Sequence, residues 1–185
     1  MIKIGKPTSP LHNKTGVFIQ NKGVIHICGN CTIGNDCRII VGENGYLTLG
    51  DGFQVTAGLK MQCMHNIKIG NNVLIGWDCY IVDTNNHHLT YDSIGVKSED
   101  YGPIIISDGC WLSFGVVVLK NSIIPKQCVV AAKTIVSKPI DCKTHSMIAG
   151  CPAHIVKEGV YLDYKNHIIN YCNKYEQNNK IIEDV

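Results

Sequence analysis

The sequence predicts a mainly β fold, a parallel β-helix of six-residue repeats with one ejected loop and a helical end. Three observations predict it. Every sixth residue from Ile106 is aliphatic: Ile106, Leu112, Val118, Ile124, Val130, Val136. A second row, from Cys110, holds small or medium residues: Cys110, Val116, Ser122, Cys128, Thr134. Gly, Asn or Asp recurs beside the aliphatic residue, as in Ile33-Gly34-Asn35, Leu49-Gly50-Asp51 and Ile69-Gly70-Asn71. A period of six matches neither a 3.6-residue helix nor a two-residue strand alternation. It matches a short strand plus a corner, and Gly, Asn and Asp adopt the left-handed corner conformation cheaply. Three hexads close a triangular coil of about 18 residues. A β-sandwich with chance spacing is the bland alternative, and six consecutive matches in one row argue against it.

The elements follow in chain order. Residues 1–24 fit the repeat poorly and are expected to cap the first coil. The two rows then run through Ile27, Ile33, Ile39 with Cys31 and Cys37, and through Ile69, Ile75, Ile81 with Val73 and Cys79. From Thr84 to Pro103 the rows fail, and the polar, turn-rich segment reads as a loop of about 20 residues leaving one corner; long loops of this kind are usually functional or disordered. The strongest hexads follow it. From about Glu158 a helical stripe appears, Val160, Leu162, Tyr164, Ile168, Ile169, Tyr171, Cys172, Tyr175, suited to covering the end of a solenoid. The expected division is a β-helix domain over 1–157, with loop 84–103 extruded, and a helical tail over 158–185.

Composition excludes several classes. The 185 residues make one domain, and 17 Lys and Arg against 15 Asp and Glu leave a net charge of +2, far from the basic stripe of a nucleic-acid binder. No stretch reaches the roughly 18 apolar residues of a membrane span. Ten cysteines suggest a secreted disulfide framework, but the chain opens MIKIGKPTSP, without an apolar signal segment. Cys28 and Cys31 form the only CxxC pair, and no second pair or His follows at zinc spacing. Cys31, Cys37, Cys79, Cys110 and Cys128 share one hexad slot, where free Cys serves as a small apolar filler. That use is consistent with a reducing cytoplasm, the expected location.

Between Ile67 and Lys157 the chain resembles the left-handed parallel β-helix acyltransferases of the hexapeptide-repeat family. It is most similar to their small sugar O-acetyltransferases, the branch with galactoside, maltose and polysaccharide-modifying enzymes. Three segments carry the resemblance: IVDTNNHHL at the mouth of the loop, IISDGCWLSFGVVVLKNSIIPKQCVVAAKTIVSK, and the closing IAGCPAHIVK. The implied activity is acetyl transfer from acetyl-CoA to a hydroxyl of a sugar or surface polysaccharide, without a metal.

Such a transfer needs a base, an oxyanion donor and a hold on CoA. No GxSxG elbow is present, so direct transfer by a single base is the simplest scheme. His87 and His88 are the only adjacent histidines, and a neutral imidazole suits the task. The family motif places its catalytic His four after the Asp, which selects His87 after Asp83. Asp83 or Asn85 would orient the imidazole or hold a sugar hydroxyl, with His88 beside them; Asp-Thr-Asn-Asn is equally good turn chemistry. Trp111 is either core or a platform for the acceptor ring.

Counted from Trp111, the family's oxyanion donor is the backbone N–H of Phe114, where the family has Ala, Gly or Ser. The resemblance lays pantetheine along Gly115, Ala131 and Ala132, with Lys133 standing where the family has Gly or Asn and able to meet phosphate. It sets Ser137, Lys138 and Pro152 beside the adenine end, and His154 and Lys157 toward the phosphates. Lys138, Lys143, His154 and Lys157 are expected to cluster at one end. The family is a homotrimer with shared sites and the loop reaching over a neighbour. Alternative readings are N-acetylation of a nucleotide amino-sugar, acetylation of a streptogramin-type antibiotic, a zinc-dependent anhydrase using His65 with His87 and His88, and a silent scaffold.

Overall fold

The computed structural model describes residues 1–6, 16–91 and 95–164. They form a three-sided parallel β-helix. Each coil lays one short strand on each side. The first coil is β1 (Ile2–Lys6), β2 (Val17–Asn21) and β3 (Val24–Ile27). The second is β4 (Cys31–Gly34), β5 (Cys37–Val41) and β6 (Tyr46–Leu49). The third is β7 (Phe53–Val55), β8 (Lys60–Cys63) and β9 (Asn66–Ile69). The fourth has β10 (Leu74–Ile75) and β11 (Tyr80–Val82), and reaches its third side at β14 (Ile104–Ile106) only after the loop. Within the loop, β12 (Thr90–Tyr91) and β13 (Val96–Lys97) pair antiparallel. The fifth coil is β15 (Trp111–Leu112), β16 (Val117–Leu119) and β17 (Ile123–Ile124). The sixth has β18 (Val129–Val130) and β19 (Ile135–Val136). β20 (Ser146–Ala149) extends side one, and β21 (His154–Glu158) turns back on it antiparallel.

Side one is an eight-stranded sheet, side two six-stranded and side three five-stranded. The period of six is the period of the core. Ile106, Leu112, Val118, Ile124, Val130 and Val136 are each fully buried, as are Cys110, Val116, Ser122, Cys128 and Thr134. The core is narrow, and Phe53 is the one aromatic side chain fully buried in it among the described residues.

The corners repeat at the same interval. Gly109, Gly115, Asn121, Gln127, Lys133 and His145 all have positive φ, six residues apart except for one missing step. That step is Pro139, whose ring fixes φ near −65° and forbids the corner. Third-side strands accordingly end at β17, and the chain runs irregularly to β20.

Residues 1–24 correct the sequence expectation. Their described residues, 1–6 and 16–24, lie on strands of a first coil, with β1, β2 and β3 paired to β4, β5 and β6. A terminal coil has a neighbour on one face only, so its residues need not be apolar in register, and Phe18 is 51 % exposed. The helical tail expected over 158–185 lies mostly outside the described residues. Up to Tyr164 the chain follows the edge between sides three and one: Tyr161 stacks on His145 at 4.4 Å, and Tyr164 Oη donates to Gly52 O at 2.5 Å.

Candidate active site

The loop leaves the edge between sides two and three, and Asp83 fixes its base. Asp83 is fully buried, and its carboxylate accepts the backbone N–H groups of Met64 (2.8 Å), His65 (2.8 Å) and Asn66 (3.0 Å). Its carbonyl accepts Gly102 N–H at 2.8 Å from the returning strand. The sequence expectation of a sugar-holding Asp83 is therefore corrected: its oxygens satisfy the corner of the coil below. An unpaired buried amide costs about 1–3 kcal/mol, so three amides explain a buried carboxylate at this position.

The next residues clasp the two limbs of the loop. Thr84 Oγ1 donates to Asp100 O at 2.8 Å and accepts Asn86 N–H at 2.9 Å. Asn85 N–H also donates to Asp100 O, at 2.9 Å. Asp100 O at 2.8 Å and His87 O at 2.9 Å both face one end of the Asn85 side-chain amide; two carbonyls can only accept, which assigns that end as the nitrogen, donating to both. Asn86 takes a left-handed φ of 56° and turns the chain outward. His87 follows, exposed, with Nδ1 2.8 Å from Asn85 O. A carbonyl oxygen can only accept, so Nδ1 carries the proton and Nε2 of the neutral ring holds a free lone pair. The imidazole is thus oriented by the Asn85 main chain, and the Asn85 side chain steadies that main chain.

His88 Nδ1 approaches Ser98 O at 3.3 Å, and Leu89 N–H donates to Ser98 Oγ at 3.0 Å, so His88 stitches the hairpin. Lys120 Nζ donates to Glu99 O and ties the loop to the fifth coil. No residue pattern marks Lys120, because its partner is a carbonyl brought close only by the fold.

A second group of expected residues lies on the edge between sides one and two. Gly115 N–H donates to Trp77 O at 2.7 Å and Ala131 N–H to Ile148 O at 2.8 Å, so both amides serve coil stacking. Among the described residues, the N–H groups of Phe114 and Ala132 have no protein acceptor. At the edge between sides three and one, the matching amide of Asn71 is taken by Asp108 Oδ1 at 2.9 Å. Above Phe114 the equivalent residue is Ala132, which has nothing to accept with. Below it, Gly76 packs close to the same segment: a Cβ there would lie 3.0 Å from both Phe114 N and Ser113 C. Sequence reasoning missed Gly76, whose missing Cβ lets the two coils approach closely here rather than setting a left-handed turn. Lys133 lies beside this group, its Nζ 4.8 Å from the centroid of the Phe114 ring.

The other expected positions divide. Pro152, in cis linkage to Cys151, and His154 lie above Lys133 on the same edge, where Ala153 N–H donates to Ile135 O at 3.1 Å. Lys157 pairs with Met147 toward the opposite margin of side one. Ser137 and Lys138 are exposed past β19, at the far margin of side two. Lys143 pairs with Glu158 at 3.4 Å. The expected cluster of Lys138, Lys143, His154 and Lys157 is thus spread over three margins, because linear proximity ignores the corners between them. Trp111 sits mid-strand on side one, between Leu74 and Val129 in register, and joins their apolar outward row.

His87 and Phe114 stand on different edges of the prism, with side two between them. Elsewhere, the His65 ring packs on Tyr101 at 4.9 Å, apart from the loop histidines' own bonds. Among the described residues no three His, Cys, Asp or Glu side chains converge as a metal set. The six core cysteines are inert by burial: desolvation pushes Cys31, Cys37 and Cys79 up to about 11, and Cys63, Cys110 and Cys128 up to about 12.

No protein-family model matches the chain. It is similar to the putative lipopolysaccharide biosynthesis O-acetyl transferase WbbJ of Escherichia coli K12, 29 % identical over 76 % of this chain and 75 % of that protein. It spans 65 % of a Klebsiella pneumoniae protein from a cps region, at 25 % identity over 81 % of this chain. Among solved structures, AntD, an N-acyltransferase from Bacillus cereus, superposes with a TM-score of 0.62 at 17 % identity, over 90 % of this chain and 89 % of that one. A hexapeptide-repeat acetyltransferase from Vibrio cholerae superposes with a TM-score of 0.50 at 23 % identity, over 77 % and 70 %. By fold the chain is a hexapeptide-type parallel β-helix, and by sequence it is similar to a protein named as an O-acetyl transferase.

Proposed function

We propose that the chain is an acetyl-CoA-dependent O-acetyltransferase acting on a hydroxyl of a sugar or surface polysaccharide. The observation that carries the reading is the His87 imidazole, held through Nδ1 by Asn85 O at 2.8 Å with Nε2 free, on a loop ejected from a hexapeptide β-helix. Nε2 takes the proton of the acceptor hydroxyl as its oxygen attacks the acetyl carbonyl. The Phe114 N–H receives the oxyanion, the C–S bond breaks, and the CoA thiolate recovers the proton from the imidazolium. The donor lies along the edge of Gly76, Phe114, Ala132, Lys133, Pro152 and His154. The similarity to WbbJ supports a glycan hydroxyl as acceptor.

The base and the oxyanion donor lie on different edges of one chain, so the complete site takes His87 from one subunit and Phe114 from another. This supports a homotrimer of prisms with shared sites. A cytoplasmic location suits the donor and the cysteine-filled core. The test is thiol release from acetyl-CoA by the purified chain with hexoses, sialic-acid polymers and a nucleotide amino-sugar. Release with a hydroxyl acceptor supports the reading. Release with the amino-sugar alone moves the chain to N-acetylation, and release with none of them contradicts transfer to this acceptor class.

A further inference from the structure

Lys133 departs from the pattern of its own corner. Five of the eight non-glycine residues with positive φ are Asn or Asp, which tolerate that conformation. Lys133, at φ 60°, is not. A backbone held in a sparsely populated region costs on the order of 1 kcal/mol and is most often kept where a side chain has a task.

The side chain does not extend into solvent. It folds back one coil, over Phe114 and Gly115. Its Nζ lies 4.8 Å from the Phe114 ring centroid, where the ring face attracts a cation. A Cβ on Gly115 would fall 2.9 Å from the same Nζ, so the ammonium rests against the Phe114–Gly115 segment. Lys133 N–H donates to Phe114 O at 3.0 Å and fixes the register. A positive charge thus rests on the Phe114–Gly115 segment of the fifth coil, the segment that also carries the open Phe114 N–H. Pro152 and His154, the expected adenine and phosphate neighbours respectively, lie on the other side of Lys133.

We propose that Lys133 is a second holder of the acyl oxygen, acting with the Phe114 N–H on the negative charge that develops there, rather than a phosphate ligand. This rests on the acetyl-transfer reading. A left-handed lysine is retained because its ammonium must return to the coil below.

The experiment compares the binding of two stable CoA thioethers by calorimetry. Carboxymethyl-CoA carries a carboxylate one atom beyond the position of the acyl carbon, a negative charge close to the forming oxyanion, and ethyl-CoA is neutral there. Their phosphates are identical. Lys133→Met should weaken carboxymethyl-CoA by about tenfold, as expected for losing one charge-assisted contact at a partly solvated site, and leave ethyl-CoA within about twofold of the unaltered chain. Lys133→Arg should keep most of the preference. Equal weakening of both compounds would place Lys133 on the phosphates and overturn the proposal. Unchanged binding of both would overturn it too. Failure of the unaltered chain to bind either compound would instead sink the donor reading on which the proposal rests.

Discussion

His87 Nδ1 and the Asn85 carbonyl oxygen lie 2.8 Å apart, and this one hydrogen bond decides which ring nitrogen can act as a base. The Asn85 side chain does not touch the ring; it holds the main chain that does, through Asp100 O and His87 O. Asn85→Ala keeps the carbonyl and removes the clasp. It should lower kcat about tenfold, in line with general-base catalysis worth 10²–10⁴ that is degraded but not removed. The melting temperature should stay within a few degrees, and steady-state kinetics with calorimetry check both.

Asp83 tests the opposite expectation. Its carboxylate satisfies three backbone amides at a partly buried corner. Asp83→Ala should cost about 3 kcal/mol or more of stability by denaturant unfolding. A variant that unfolded normally and lost only acceptor affinity would restore a sugar-binding role.

Gly76 packs directly against the Phe114 amide. A methyl group there would stand 3.0 Å from Phe114 N, closer than ordinary contact. Gly76→Ala should cut kcat by about 10²-fold, the scale of losing one oxyanion donor, while CoA affinity stays within about threefold, because the phosphate end is untouched. Equilibrium binding beside turnover separates the two.

Much of the fold was legible because the core is one-dimensional. Each hexad meets only its own coil and the next, so Ile106 to Val136 had to be aliphatic in sequence register. The first coil was not legible, since an end coil has no second neighbour to impose the pattern. Pro139 was legible in principle, as the one residue of the corner row that cannot take positive φ. The site divides in the same way. His87 was marked by its spacing from Asp83 and by the loop. The duty of Asp83 was hidden, because its partners are amides some eighteen residues earlier that only stacking brings near. The lysines looked clustered in the linear chain and are separated by corners.

The buried thiols set an alkaline limit. Burial raises six of them to between about 11 and about 12. A thiol of the unfolded chain ionises near pH 8.5. Between those values the unfolded state binds fewer protons than the native one, so stability falls as pH rises. Each such thiol removes up to about 1.4 kcal/mol per pH unit in that window. The melting temperature should be flat from pH 7 to 8 and drop steeply above pH 9, and Cys79→Ala should lessen the slope. A flat profile to pH 10 would contradict the assignment of these cysteines as neutral core fillers.

The most direct test of the central claim is thiol release from acetyl-CoA by the unaltered chain and by His87→Ala, with acetyl-CoA affinity measured for both. His87→Ala should lose transfer by at least about 10²-fold and bind acetyl-CoA as before. Near-normal turnover by His87→Ala would contradict it.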